Sequence, residues 1–297
     1  MKVFLTGATG FVGGHLLRDL VARGHECACL VRRAGRLAAP AREVLGDATR
    51  PEGLAEAMAG SEALIHLVGI IREFPERGVT FERLHVEATR NVLEAARQAK
   101  VARYLHMSAG GAREGASTPY HRTKWAAEEL VHVSGLSWTV FRPSIVFGPG
   151  DGFVSLLARL IRRSPVVPVI GDGRYALRPV AVKTVAAGFA AALERPETAG
   201  RTFEVGGPDR LTYNRVLDLI AQALGLAHPT KLHVPVGLVR LAAAALERYP
   251  WFPITRTQLT MLLEGNTCDS RPFYEATGLS PVPFAAALDY LRGPAAA

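Results

Sequence analysis

KVFLTGATGFVGGHLLRDLVARG, residues 2–24, is the stretch that decides the fold. Its opening run, Lys2–Thr6, has the length and apolar character of a buried strand. Thr6, Gly7, Thr9, Gly10, Phe11, Val12 and Gly13 then carry the chain through a turn into a segment whose apolar residues recur at helical spacing. The glycines fall in a GxxGxxG pattern. In a chain with 29 glycines that spacing carries little weight by itself; the strand before it and the helix after it supply the weight. Gly7 permits the tight turn, Gly10 lets a pyrophosphate approach the backbone, and Gly13 lets helix and strand pack closely. The helix N-terminus adds N–H donors and partial positive charge. The stretch therefore reads as the phosphate-binding turn of a Rossmann-type α/β domain.

Outward from this turn, short apolar runs alternate with segments of helical period as far as Pro143. Strands are predicted over Lys2–Thr6, Glu26–Val31, Arg42–Leu45, 63–68, Arg103–Met107 and 138–142, and helices over 10–23, 51–59, 81–99 and 120–133. Within 81–99, Leu84, Ala88, Val92 and Ala95 recur at steps of three or four, as one buried helical face requires. The pattern predicts a doubly wound parallel sheet. Gly148, Pro149, Gly150, Asp151 and Gly152 form a loop signal that marks a domain transition. A helix over 183–194 and a strand over Arg201–Val205, closed by Gly206, Gly207 and Pro208, return the chain to the sheet. The expected division is 1–147 with 173–206 as the dinucleotide-binding core, and 148–172 with 207–297 as a smaller, discontinuous C-terminal lobe for substrate. Helices are expected in that lobe over 213–224, Val236–Leu246, 255–264 and 284–291, before an Ala-rich tail at 295–297.

Two further features bear on chemistry. Arg32 and Arg33 end the second strand, about 20 residues past the turn, where an acidic residue would hold a ribose 2′-hydroxyl. A guanidinium there can bind a 2′-phosphate bidentately, so NADP(H) is expected over NAD(H), which stays possible. Tyr120 and Lys124 sit at i and i+4 on one face of a helix that follows the fifth strand. An ammonium near a phenol is expected to lower the tyrosine pKa and fit it to exchange a proton with a carbonyl or alcohol.

Composition narrows the classes. The formal charge of +8 favours an anionic partner, but the arginines are spread along the chain, not gathered in a tract with interleaved aromatics, so nucleic acid is not expected. Cys27, Cys29 and Cys268 have neither disulfide nor metal-ligand spacing; no metal is expected, and a reducing cytoplasm fits. No leader is expected at the N-terminus, and no charge-free run approaches the length of about 18 residues that spans a membrane. Residues 232–246 are apolar around Arg240 and run toward Tyr249, Trp251 and Phe252. Two readings stay open for them: a helix burying one face in its own lobe, or a surface helix lying on a membrane with aromatic anchors.

The TGATGFVGG turn, the YxxxK pair in YHRTKWAAEE and the segment RPSIVFGPGDGF together resemble the extended and atypical short-chain dehydrogenase/reductases, the epimerase/dehydratase superfamily. GDGR at 171–174 and VGGP at 205–208 extend the resemblance over nearly the whole chain. Within that superfamily the chain resembles bacterial relatives of the NADPH-binding accessory subunit of complex I. The resemblance implies that Asp47, with Ala48, contacts adenine; that Leu67, Val68 and Gly69 line the cofactor; that Lys124 holds the nicotinamide ribose; and that Pro143, Ser144 and Ile145 sit beside the nicotinamide. In active members a serine or threonine after the fifth strand polarises the substrate carbonyl. Here the segment reads Met107, Ser108, Ala109, Gly110, Gly111: the catalytic position is expected to fall on Ala109 or Gly110, so the catalytic serine is lost there, and Ser108, the catalytic candidate one or two residues early, is expected to be a strand-end residue that, with Met107, contacts cofactor; Ser117 and Thr118 are alternative donors. The acidic residue usual near the start of the later helix is replaced around Lys183 and Thr184. The expected function is hydride transfer on an unknown small-molecule substrate with Tyr120 as general acid/base. Alternatives are sugar-nucleotide epimerase or dehydratase chemistry, and a non-catalytic NADPH-binding scaffold or assembly factor of a respiratory or quinone-pathway complex, with peripheral membrane contact.

Overall fold

The computed structural model describes residues 1–292; the Ala-rich tail expected at 295–297 lies outside the described residues. In chain order the elements are β1 (Lys2–Thr6), α1 (Phe11–Ala22), β2 (Glu26–Val31), β3 (Arg42–Leu45), α2 (Leu54–Met58), β4 (Ala63–His66), α3 (Ala88–Gln98), β5 (Arg103–Met107), α4 (Pro119–His132) and β6 (Ser137–Pro143). There follow β7 (Val146–Phe147), α5 (Val154–Arg163), β8 (Val166–Ile170), β9 (Ala176–Leu177), β10 (Val180–Ala181), α6 (Val182–Glu194) and β11 (Arg201–Val205). The last are β12 (Leu211–Thr212), α7 (Tyr213–Ala223), β13 (Thr230–Val234), α8 (Val236–Leu246), α9 (Arg256–Glu264) and α10 (Arg271–Thr277).

Contacts divide the chain into two units. The first is Met1–Pro143 with Lys183–Val205 and Arg271–Leu279. It holds a seven-stranded sheet in the order β11-β6-β5-β4-β1-β2-β3, every neighbouring pair parallel. The strand order reverses between β1 and β4, where ligands of doubly wound sheets sit beyond the carboxyl ends of the strands. Leucine, valine and alanine from α2, α3 and α4 bury one face against Phe4, Leu64, Tyr104 and Val140. Against the other face, the Phe273 ring of α10 meets Phe141 edge-on at 6.0 Å, and Phe189 of α6 lies 4.4 Å from Phe141. That aromatic contact joins the short α10 segment to the sheet.

The turn after β1 explains its glycines. Gly7 has φ +79, and a Cβ on it would stand 2.9 Å from the Leu67 carbonyl carbon. A Cβ on Gly13 would stand 2.1 Å from the Gly7 carbonyl oxygen and 2.8 Å from the Ala8 Cα, so α1 lies directly on the turn that precedes it.

The second unit is Ser144–Val182 with Gly206–Ser270 and Ser280–Ala297, of which residues through 292 are described. Its core gathers Phe147, Leu157, Val169, Leu217, Ile220 and Phe284. Three two-stranded sheets occur in it among the described residues: β10 with β7, β12 with β9, and β13 with β8. The parallel pair β8–β13 escapes the sequence reading because Pro168 interrupts β8, and a proline argues against a paired strand. Residues 284–291, expected as a helix, instead form two 3₁₀ turns, Phe284–Ala287 and Asp289–Arg292. Phe284, Leu288 and Leu291 are buried at helical spacing, but the Asp209 carboxylate accepts the Phe284 amide at 2.7 Å and short turns suffice to bury the three. Residues 81–99 also differ: Glu82–Glu87 is one turn of π-helix that runs into α3.

Substituting Gly13→Ala is expected to cost about 3 kcal/mol in urea denaturation, because the new methyl has to push helix and turn apart. A stability unchanged within error would show that α1 does not rest on the turn.

Candidate functional site

The sequence-predicted residues of the first unit converge on the carboxyl ends of β1, β2, β4 and β5. Gly10 is the N-cap of α1; no side chain caps it and no acidic residue sits in the first turn. The amides of Phe11, Val12 and Gly13 open that helix, with the Gly10 and Gly14 amides already bonded to the Gly7 and Gly10 carbonyls at 3.0 and 2.9 Å. An uncapped N-terminus with a bare glycine approach is what a diphosphate requires. Beneath it, the Thr6 hydroxyl and His66 Nδ1 are 2.6 Å apart and wholly buried. Burial pushes the His66 imidazole down to about 3, so it stands neutral under the turn.

Thr9, Arg32, Arg33 and Arg36 line a cavity of about 380 Å³ beside this turn. All three arginines are exposed, and among the described residues none is in an ion pair with a carboxylate. The loop that carries them is tied down where the Gly35 amide donates to both Glu43 carboxylate oxygens at 2.9 and 3.0 Å. Arg36 is a residue the sequence reading missed, although it lies three positions past Arg33 in the same loop. Asp47 follows β3, and its Oδ1 accepts from the Thr49 amide and hydroxyl, both at 2.9 Å. The neighbouring Ala48 is buried, and its carbonyl accepts from Asn91 at 3.3 Å. Leu67 extends β4, its amide donating to the Thr6 carbonyl at 3.1 Å. Val68 and Gly69 carry the chain away from that strand end.

Helix α4 brings the chemistry. Pro119 sits in its first turn and the Thr118 hydroxyl caps it by accepting the His121 amide at 3.3 Å, which commits one alternative donor to structure. Tyr120, Lys124 and Glu128 recur every four residues along one face. The Lys124 ammonium donates to the Met107 carbonyl at 3.0 Å and lies 3.0 Å from the point where a Cβ on Gly69 would stand. Met107, Gly69 and Lys124 are therefore neighbours. Burial pulls Lys124 down to about 8, against the opposing pull of Glu128. Burial also pushes the Tyr120 phenol up to about 12. This corrects the expectation that the neighbouring ammonium lowers that phenol; removal from water outweighs it.

Tyr120 stands among aromatic edges, with ring centroids 5.6 Å from Phe81, 5.4 Å from His85 and 5.4 Å from His121. His85 comes from the π-turn. Its Nδ1 meets the Thr123 hydroxyl at 2.9 Å, its Nε2 meets the Ile70 backbone, and burial drives its pKa to about 2. Sequence reading missed it because a helical period of 3.6 gives no warning of a π-turn, a feature that recurs at functional sites.

Ser108 has a different partner from the one expected of a carbonyl-polarising hydroxyl. Its Oγ donates to the fully buried Glu128 carboxylate in a short hydrogen bond. Arg142 closes on the same carboxylate through Nε at 3.0 Å and Nη2 at 2.6 Å, reaches Glu204 at 3.5 Å and lies over the Trp125 ring at 5.4 Å. Glu128 was also missed, although its spacing from Tyr120 and Lys124 was legible. The Ser108 and Gly110 amides donate to the Phe141 and Pro143 carbonyls, both at 2.8 Å, so the chain after β5 is fixed against β6. Ser144 and Ile145 belong to the second unit. There Ile145 packs on the core, and the Ser144 hydroxyl is buried without a hydrogen-bond partner.

The model of the NAD dependent epimerase/dehydratase family matches residues 3–206. The ceramide reductase of Caulobacter vibrioides (strain NA1000 / CB15N) is 32% identical over 265 residues, covering 86% of this chain and 80% of that protein. The mitochondrial NADH dehydrogenase (ubiquinone) 1 alpha subcomplex subunit 9 of Dictyostelium discoideum is 26% identical over 240 residues, covering 78% of this chain; the chain spans 65% of that relative's length. Among solved structures, the Thermus thermophilus UDP-glucose 4-epimerase complex with NAD superposes with TM-score 0.78 at 26% identity, covering 99% of both chains.

The buried Lys124 makes a pH signature. Its pKa is 10.5 in the unfolded chain and about 8 folded, so between those values the unfolded state binds more protons and stability rises with pH. Below about pH 8 the folded protein carries the whole net cost, about 3 kcal/mol, the larger part of which an apolar side chain of similar length recovers. Lys124→Met is therefore expected to stabilise the cofactor-free protein by about 2 kcal/mol at pH 7, with the gain fading above about pH 10. A variant less stable than wild type at pH 7 would contradict this.

Proposed function

The chain belongs to the NAD dependent epimerase/dehydratase family, and from that membership we propose that it is an NADP(H)-dependent reductase of a carbonyl substrate, with Tyr120 as the proton donor. One observation carries the reading: Tyr120 and Lys124 share one face of α4, and the Lys124 ammonium meets the Met107 carbonyl at 3.0 Å beside Gly69. The name of the Caulobacter relative, a reductase, supports the direction of reduction.

The residues fit a nicotinamide dinucleotide. The glycine approach and uncapped start of α1 would hold the diphosphate, Asp47 and Leu67 to Gly69 would flank the adenosine and the strand end, and Lys124 would face the nicotinamide ribose. Arg32, Arg33 and Arg36 around one cavity supply the positive charge that a 2′-phosphate needs, and this supports the preference for NADP(H). When bound, the reduced nicotinamide supplies the hydride that the carbonyl carbon receives. Tyr120 donates its phenolic proton to the carbonyl oxygen, and the Lys124 ammonium offsets the charge left on the phenolate until solvent returns the proton. Phe81, His85 and His121 hold the phenol ring in place.

A second reading has its own observation. Because the Ser108 hydroxyl serves Glu128, the site lacks the carbonyl-polarising group at that position, which favours a non-catalytic NADPH-binding subunit of a respiratory complex. The relatives named as subunits of NADH dehydrogenase support that reading. On this second reading the protein works peripherally at a membrane.

Tyr120→Phe separates the two readings. A reductase is expected to lose about 100-fold or more in kcat while keeping NADPH affinity; a binding subunit would keep affinity and complementing function alike. The charge reading is tested by Arg33→Asp with Arg36→Ala: NADPH affinity is expected to fall about 100-fold with NADH affinity nearly unchanged. Equal losses for both dinucleotides would assign the arginines no role in discrimination.

A further inference from the structure

Helix α8 presents an exposed apolar surface that the proposed chemistry leaves unused. Of its residues only Ala243 is buried. The face turned to solvent carries Gly237, Leu238, Leu241, Ala244 and Ala245, with Leu238 60% and Leu241 69% exposed. The strand before the helix adds Leu232 at 58%, and the loop after it adds Trp251 at 69%, its ring stacked on Tyr249 at 5.9 Å. A helix that buries one small residue and presents leucines outward is poorly accounted for by its own unit.

Charge says what covers it. Residues 226–262 contain the basic side chains Lys231, Arg240, Arg248 and Arg256 against one acidic residue, Glu247. Glu247 is turned to Arg256, which it meets at 2.6 Å, while Arg240 and Arg248 flank the apolar strip and are exposed. Apolar residues backed by arginines, with a tryptophan and a tyrosine at one end, match the layering of a bilayer surface, where acyl chains lie below indole rings and anionic headgroups above them. A second copy of the chain fits less well. A two-fold contact through this strip would gather Arg240 and Arg248 of both copies at one interface, where Glu247 already serves Arg256.

We propose that α8 and the Tyr249–Trp251 loop form a bilayer-docking face that settles on membranes containing anionic lipid. The inference rests on the peripheral placement proposed above and assigns it to a surface. On this face Leu238, Leu241 and Trp251 enter the headgroup boundary, while Arg240 and Arg248 pair with lipid phosphates.

The experiment is flotation of the full chain with phosphatidylcholine vesicles, with and without about 30% phosphatidylglycerol. Wild type is expected to float with the anionic vesicles and to be released at about 0.5 M salt far more readily than a spanning protein would be. Leu238→Glu with Leu241→Glu is expected to cut the floated fraction about tenfold. These side chains are exposed, so the variant should fold; unchanged NADPH binding verifies that it has. Tryptophan emission should shift to the blue on vesicle addition in wild type and not in Trp251→Phe, which separates insertion from electrostatic adhesion. Wild type that stays unbound with anionic vesicles overturns both the face and the peripheral placement. Flotation of the double variant equal to wild type overturns the face alone. A lipid-free dimer that the double variant disperses would assign the strip to self-contact and overturn the lipid reading.

Discussion

The contact on which the rest depends is the seat of α1 on the turn that leads into it. With no side chain on Gly13, the helix backbone comes down onto the Gly7 carbonyl, and the first turn of amides is left pointing past the strand ends without a capping side chain. A serine or aspartate at position 10 would satisfy those donors internally and close the site; glycine leaves them for an anion. The same close approach places Leu67 against Gly7, at the carboxyl ends of β1 and β4 where the strand order reverses.

Around that opening the structure sorts charge by burial. The arginines of the β2 loop are exposed and stand free to meet a phosphate, whereas Lys124, Glu128 and Arg142 are drawn inside, where each charge needs a partner. Glu128 answers Arg142 and Ser108; Lys124 answers the Met107 carbonyl. Both bonds tie α4 to the end of β5, so the helix that positions the phenol is itself fixed by two polar anchors. The histidines beneath the site stay neutral because burial denies them a proton, and they act as packing and hydrogen-bonding groups, not as charges.

Much of this was legible in residues 2–24 and in the alternation that follows. β1, β2, β3, β5 and β11 begin and end where the sequence predicts; for the inner strands this is because strands of a parallel sheet are buried on both faces and read as near-continuous apolar runs, whereas the edge strands β3 and β11 are more exposed and mix charged with apolar residues. The GxxGxxG turn and the Tyr120 to Lys124 spacing were legible for the same reason: their meaning is local. What escaped depends on tertiary context. Nothing in the sequence announces the π-turn that aims His85 at Tyr120, or the partner that claims the Ser108 hydroxyl. The period of residues 284–291 is real, but burial of three side chains was enough to impose it without a continuous helix. The apolar character of α8 was legible as well; its outward orientation was not, since a helix that is apolar nearly all round gives no face away.

The most direct measurement is the backbone amide spectrum of the isotopically labelled protein during titration with NADPH. If the start of α1 cradles the diphosphate, the Phe11, Val12 and Gly13 amides will move most and saturate with the binding curve. Saturable binding that leaves those amides in place, or no binding at millimolar ligand, would contradict it.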